Sequence, residues 1–163
     1  MEYKGHAKVE ELATLLKDES ARCAVIVAAA FFDETLSVLL GDSTERPLFV
    51  RINDALAWGL LTQAEHDDLH VVRGLRNDFA HDLRVTDFDV PSKAKVAALK
   101  LWQTASTSLP LDRVITTTLH QLLYVVGVIA FRLQHRTKPI VRSGPLPEPP
   151  VTDVAAWPPV TSR

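Results

Sequence analysis

Residues 62 to 84 read TQAEHDDLHVVRGLRNDFAHDLR, and this stretch decides the fold. Thr62 and Glu65 form a T-x-x-E capping box, which starts a helix at that point. Winding the residues at about 100° per step sorts them into two arcs. Leu69, Val72, Leu75, Phe79 and Leu83 form an apolar arc. His66, His70, Arg73, Asn77, His81 and Arg84 form a polar one. Arg76 falls inside the apolar arc, where a guanidinium needs acceptors because it cannot lose its proton. Arg76 is therefore expected to point into a polar pocket or an interface. Asp33 and Glu34 are its candidate partners.

Working outward, the chain reads as helices throughout. Val9 to Lys17 is a short amphipathic helix. Ser20 to Leu40 is a longer one, stopped by Gly41 and apolar almost all round in ARCAVIVAAAFF, which makes it central. Pro47 opens a helix that runs through Trp58 and ends at Gly59, so Leu60 and Leu61 turn a corner into the helix capped by Thr62. A loop, RVTDFDV, leads to a helix from Pro91 or Ser92 to about Thr107. Pro110 precedes a last long apolar helix, from about Leu111 to His135. No segment alternates with a period of two over a useful length. The fold class expected is all-α, a compact bundle of about five helices in residues 1–136.

Residues 137–163 differ in kind. Seven of the ten prolines lie from Pro139 onward, and such a tail cannot build a core. It is expected to be extended or disordered, with Trp157 a candidate docking residue.

Bulk composition narrows the function. At 163 residues the chain is one domain with room for a real core. A net charge of −2 and a pI of about 6.3 argue against a surface coated in phosphate-binding charge. There is no helix-turn-helix with a basic recognition helix, so direct DNA reading is not expected. Cys23 is the only cysteine; it lies in an apolar run and is expected to be buried. The polar start, MEYKGHAKVEEL, has no signal-peptide pattern. The longest apolar runs, Cys23–Phe32 and Leu122–Phe131, are roughly half of the ~20 residues that span a bilayer. A cytoplasmic protein is expected. The six glycines are scattered and form no phosphate-cradling loop, and no cofactor is expected.

Two local patterns carry chemistry. In RNDFAH, Arg76 to His81, an imidazole able to move a proton lies near a guanidinium able to hold a phosphate. Asn77 can orient the histidine or bind a hydroxyl. Equally, such a cluster can lock two helices or two subunits together. In HDDLH, His66 to His70, two histidines stand four residues apart, as in a zinc-binding H-E-x-x-H helix. An aspartate replaces the glutamate and no third ligand is apparent, so a solvated polar face is expected and no metal. His70, Arg73 and Arg84 are candidate binding residues beside the Arg76–Asn77–His81 group.

RNDFAH resembles the R-x(4–6)-H motif of the HEPN superfamily, including the polar residue after the arginine. A longer stretch, LFVRINDALAWGLLTQAEHDDLHVVRGLRNDFAHDL from Leu48 to Leu83, resembles the mannitol operon repressor (MtlR-like) family. AVIVAAAFFDETLSVLL before it fits more loosely. The likeness covers rather less than half of the chain, and the proline-rich tail has no counterpart in it. It implies a small helical bundle that forms a homodimer. It implies a regulator of the MtlR-like kind, acting through an unidentified protein partner. The alternative it implies is a metal-independent endoribonuclease of toxin type, in which Arg76, Asn77 and His81 meet their copies across a dimer and cut RNA.

Overall fold

A computed structural model describes residues 5–111 and 114–149. Its elements are α1 (Gly5–Leu16), α2 (Ala21–Leu40), α3 (Leu48–Ala57), α4 (Gln63–His81), α5 (Val90–Ala97), α6 (Lys100–Ser108) and α7 (Thr118–Gln134). The fold is all-α, with seven helices among the described residues rather than about five. The single β-type pairing there is an isolated parallel bridge between Thr62 and Leu146.

Most helix ends follow their sequence signals. The Ser20 hydroxyl accepts from the Cys23 N–H and starts α2, and Gly41, left-handed at φ 66°, ends it. Thr62 and Glu65 complete the capping box of α4. The helix expected over 91–107 is instead two. Asp68 of α4 is buried, and its carboxylate accepts from the N–H groups of Lys100 (2.6 Å) and Leu101 (2.9 Å). That cap, supplied by a residue more than thirty positions earlier, fixes a new helix start after Leu99. The last helix begins at Thr118, capped by the Thr117 hydroxyl, later than the expected Leu111.

The core is organised on α7, where every residue from Leu122 to Ala130 is buried. α1, α2, α5 and α6 all pack on it, while α2, α3 and α4 form a second set of mutual contacts. α2 as a whole is longer and more apolar than its central run suggested. Its 20 residues include an 18-residue window of mean hydropathy 2.0, enough by length and composition to cross a bilayer. In this fold Ala24, Val25, Ala28, Phe32 and Leu36 are buried among the other helices. Cys23 corrects the expectation of burial: it is exposed, one turn into α2 on the outer side.

Glu65 is fully buried, and all of its acceptor capacity is used. Oε2 accepts from the Thr62 N–H at 3.0 Å, and Oε1 accepts from Arg132 Nη1 at 3.0 Å and Arg136 Nη2 at 2.9 Å. Arg136 Nη1 also donates to Oε2 and to the Leu60 carbonyl. One carboxylate thus ties the start of α4 to the end of α7.

Of the two forms expected of the tail, extended or disordered, residues 137–149 take the extended one and run along the α3–α4 corner. Gly144 N–H donates to the Ala57 carbonyl (3.2 Å) and Leu146 N–H to the Leu61 carbonyl (2.9 Å). The Glu148 carboxylate accepts from the Ala64 N–H at 3.0 Å, in the first turn of α4. Gly59 makes this approach possible. It is left-handed at φ 72°, and a Cβ there would lie 2.0 Å from Ser143 Oγ. Trp157 lies outside the described residues.

Two predictions follow from these buried acids. Glu65→Gln leaves two arginines facing a neutral amide and should cost roughly 3–5 kcal/mol, read by urea unfolding. Burial alone would raise the Glu65 carboxyl, but the hydrogen bond and charge of Arg136, the Thr62 N–H and Arg132 outweigh it and hold it below its usual 4.5. Its contribution is present above that value and is lost as pH falls through the folded pKa. Asp68 has the opposite sign. Burial raises it from 3.8 to about 6 against the pull of the Leu101 and Lys100 N–H groups. The folded chain holds the extra proton between those values, so the Asp68 contribution falls as pH rises through that window. Asp68→Asn should flatten this slope, on the order of 2–3 kcal/mol, in unfolding curves at pH 4 and pH 6.

Candidate functional site

α4 presents its apolar side, Leu69, Val72, Leu75 and Phe79, to the core. Its polar side meets α3. His66 Nε2 and His70 Nε2 both lie at hydrogen-bond distance from Asn53 Oδ1, at 2.9 and 3.0 Å. The two imidazoles stand edge to face with centroids 4.6 Å apart. His66 Nδ1 is 3.0 Å from Asp67 Oδ1, which also accepts from Gln63. One turn further, the Arg73 guanidinium lies 6.0 Å from the centre of the Phe49 ring, and its Nε is buried without a hydrogen-bond partner. Phe49 itself is 45 % exposed. Burial, with help from His66 and Arg73, lowers the His70 pKa below its ordinary value and favours the neutral ring.

HDDLH therefore forms a surface cluster anchored on Asn53, a residue the HDDLH pattern alone does not point to. Among the described residues, no three His, Cys, Asp or Glu side chains gather in a way that could hold a metal ion.

Within one copy, the polar residues of RNDFAH lie on the surface of the C-terminal half of α4. Arg76 is exposed, not buried, and Nη1 donates to Asn77 Oδ1 at 3.0 Å. It sits at the edge of the apolar arc, from which a long side chain reaches water. Asp33 is not its partner: that carboxylate accepts from Arg51 Nη1 at 2.6 Å. Glu34 is exposed. His81, the last residue of α4, is exposed, and its imidazole forms no hydrogen bond or ion pair with another described residue. α4 ends there, so Leu83 is 77 % exposed instead of extending the apolar arc. Arg84 leaves the helix and pairs with Asp82 at 3.3 Å, remote from the Asn53 cluster in sequence and in bonding. His70 and Arg73 thus share a face, Arg76 and Asn77 share a hydrogen bond, and His81 and Arg84 stand apart.

A concavity of about 490 Å³ lies between α2 and α3 and is lined by Asp33, Ser37, Thr44, Arg46 and Arg51, among others. Its cations are already engaged. Arg51 donates to Asp33, Asp42 and the Thr44 carbonyl, and Arg46 to Asp42 and Asp54. These pairs hold the connector between the two helices and leave little charge for an anion.

Compared with protein-family models, curated proteins and solved structures, the chain shows no significant match. Because Arg76 rests on the surface against its own neighbour, Arg76→Ala should change unfolding free energy by no more than about 0.5 kcal/mol in a urea titration.

Proposed function

We propose that this chain is a non-enzymatic regulatory protein, of the kind its likeness to the mannitol operon repressor suggests, that acts through protein partners rather than by reading DNA. The observation that carries this is the α3–α4 face. Phe49 is an exposed aromatic beside a partly buried arginine, Arg73, and next to them Asn53 fixes two imidazoles. Aromatic and arginine side chains are enriched where proteins bind one another, and groups already held in place lose little freedom on binding. A second copy of the chain is the first partner to expect, and the cytoplasm is the expected compartment.

The alternative is a metal-independent endoribonuclease. It is favoured by one observation: Arg76 and His81 are both exposed and take no part in holding the core together, so they are open to a phosphate or to a second copy.

Sedimentation velocity tests the first reading. Wild type should self-associate, and Phe49→Ala with Arg73→Ala should weaken association at least tenfold while the helical circular dichroism is kept. A monomeric wild type, or a variant that associates equally, would contradict it. Labelled single-stranded RNA in EDTA tests the alternative. No cleavage is expected; cleavage that disappears in His81→Ala would make the chain an enzyme.

A further inference from the structure

The stretch of tail from Gly144 to Glu148 reads G-P-L-P-E, and it meets the body with a period of two. Gly144 and Leu146 each give an N–H to the α3–α4 corner, and Glu148 gives its carboxylate to the first turn of α4. Pro145 and Pro147 fall between them, are exposed, and have no N–H to leave unpaired on the outer edge. The corner supplies a matching row: the carbonyls of Ala57 and Leu61, then the N–H of Ala64. Gly59 keeps the row open, and Trp58 forms a post beside it. Lys138 Nζ lies 4.1 Å and Arg142 Cζ 5.3 Å from the centre of the Trp58 ring. An extended segment is thus held by main-chain hydrogen bonds at a helix corner, with one bridge pair, Thr62 and Leu146, and main-chain bonds of this kind can hold an extended peptide from another chain as well.

We propose that the α3–α4 corner is a docking site for the tail of a second copy of this chain, and that residues 144–148 exchange between copies. The bound chemistry is displayed by the tail already seated there: a small residue, an aliphatic one and an acid at alternate positions, separated by prolines. Every copy carries both halves of the contact. Residues 144–148 themselves are held by two backbone hydrogen bonds and one carboxylate cap. The stretch before them is held by Lys138 and Arg142 against Trp58 and by Lys138 Nζ donating to the Leu40 carbonyl at 3.1 Å, so residues 144–148 can leave the corner without breaking those upstream contacts. The connecting stretch also carries Ile140, 97 % exposed, and Val141, 72 % exposed. Among the described residues of one copy, little covers these apolar side chains. A dimer made by exchanging the tails brings the two connecting stretches side by side and gives them one.

Two full-length variants with different tags test this. The first has a blocked corner, Gly59→Ala, and a native tail. The second has a native corner and a disabled tail, Leu146→Asp with Glu148→Lys. Both also carry Arg73→Glu, which removes association through the α3–α4 face. Mixed, they should form a one-to-one complex at least tenfold more abundant than either self-complex, and disabling the tail of the first should abolish the excess. Trp58→Ala serves as a second corner block should Gly59→Ala lose helical circular dichroism. Mixed pairing no greater than self-pairing, with both variants folded, overturns the proposal. So does capture of a free peptide of residues 143–149 by the second variant without capture of the first variant's tail.

Discussion

The buried carboxylate of Glu65 is the constraint on which the rest of the structure depends. A charge in a protein interior is tolerated only when its acceptor sites are filled and countercharge is close. Here the Thr62 N–H and two arginines supply both. Those partners come from three places: the corner before α4, the last turn of α7, and the second residue beyond it. Moving any one leaves part of the carboxylate without a donor. The start of α4 is thereby fixed in angle and depth, and the row of carbonyls from Ala57 to Leu61 is fixed with it. The tail docks on that row.

Fixing α4 at its start has a consequence at its other end. Glu65, Asp68, Leu69, Val72, Leu75 and Phe79 take the inner side, so Arg73, Arg76 and Asn77 are turned outward. The polar residues then divide by their neighbours. Those next to α3 are organised, by Asn53 and Phe49. Those beyond its reach, Arg76 and His81, rest on the surface toward the C-terminal end of the helix. Organisation without a cavity suits recognition of a surface, which is why the face near Phe49 carries the functional proposal and the RNDFAH end is its alternative.

Local signals were legible in the sequence. Ser20, Gly41, Gly59 and the Thr62–Glu65 box each act over a few residues, and each marks its boundary where expected. Features that depend on distant partners were not. Nothing near Leu99 announces a helix break, because the capping carboxylate belongs to Asp68. Arginines at 132 and 136 look like ordinary basic residues at a helix end until Glu65 is placed beside them. Arg76 and Cys23 show the limit of a helical wheel. It defines an apolar arc, but the arc's edges are set by where neighbouring helices cross, and both residues fall on the outer side. The two histidines of HDDLH were visible as a pair; Asn53, which joins them, lies on another helix. Composition marks the tail as proline-rich, yet in its described part alternating residues find backbone partners that composition does not reveal.

The most direct test is the titration of the Glu65 side-chain carboxyl, followed by its carbon resonance in labelled protein from pH 7 to pH 2, with Glu65→Gln identifying the signal. Four hydrogen bonds and two guanidinium groups should keep it ionised to a pH below 4.5, and its protonation should coincide with loss of dispersed methyl signals from α4 and α7. A Glu65 carboxyl that titrates at or above 4.5 while the fold persists would mean that the arginines do not hold it, and the account of how α4, α7 and the tail are fixed together would fail.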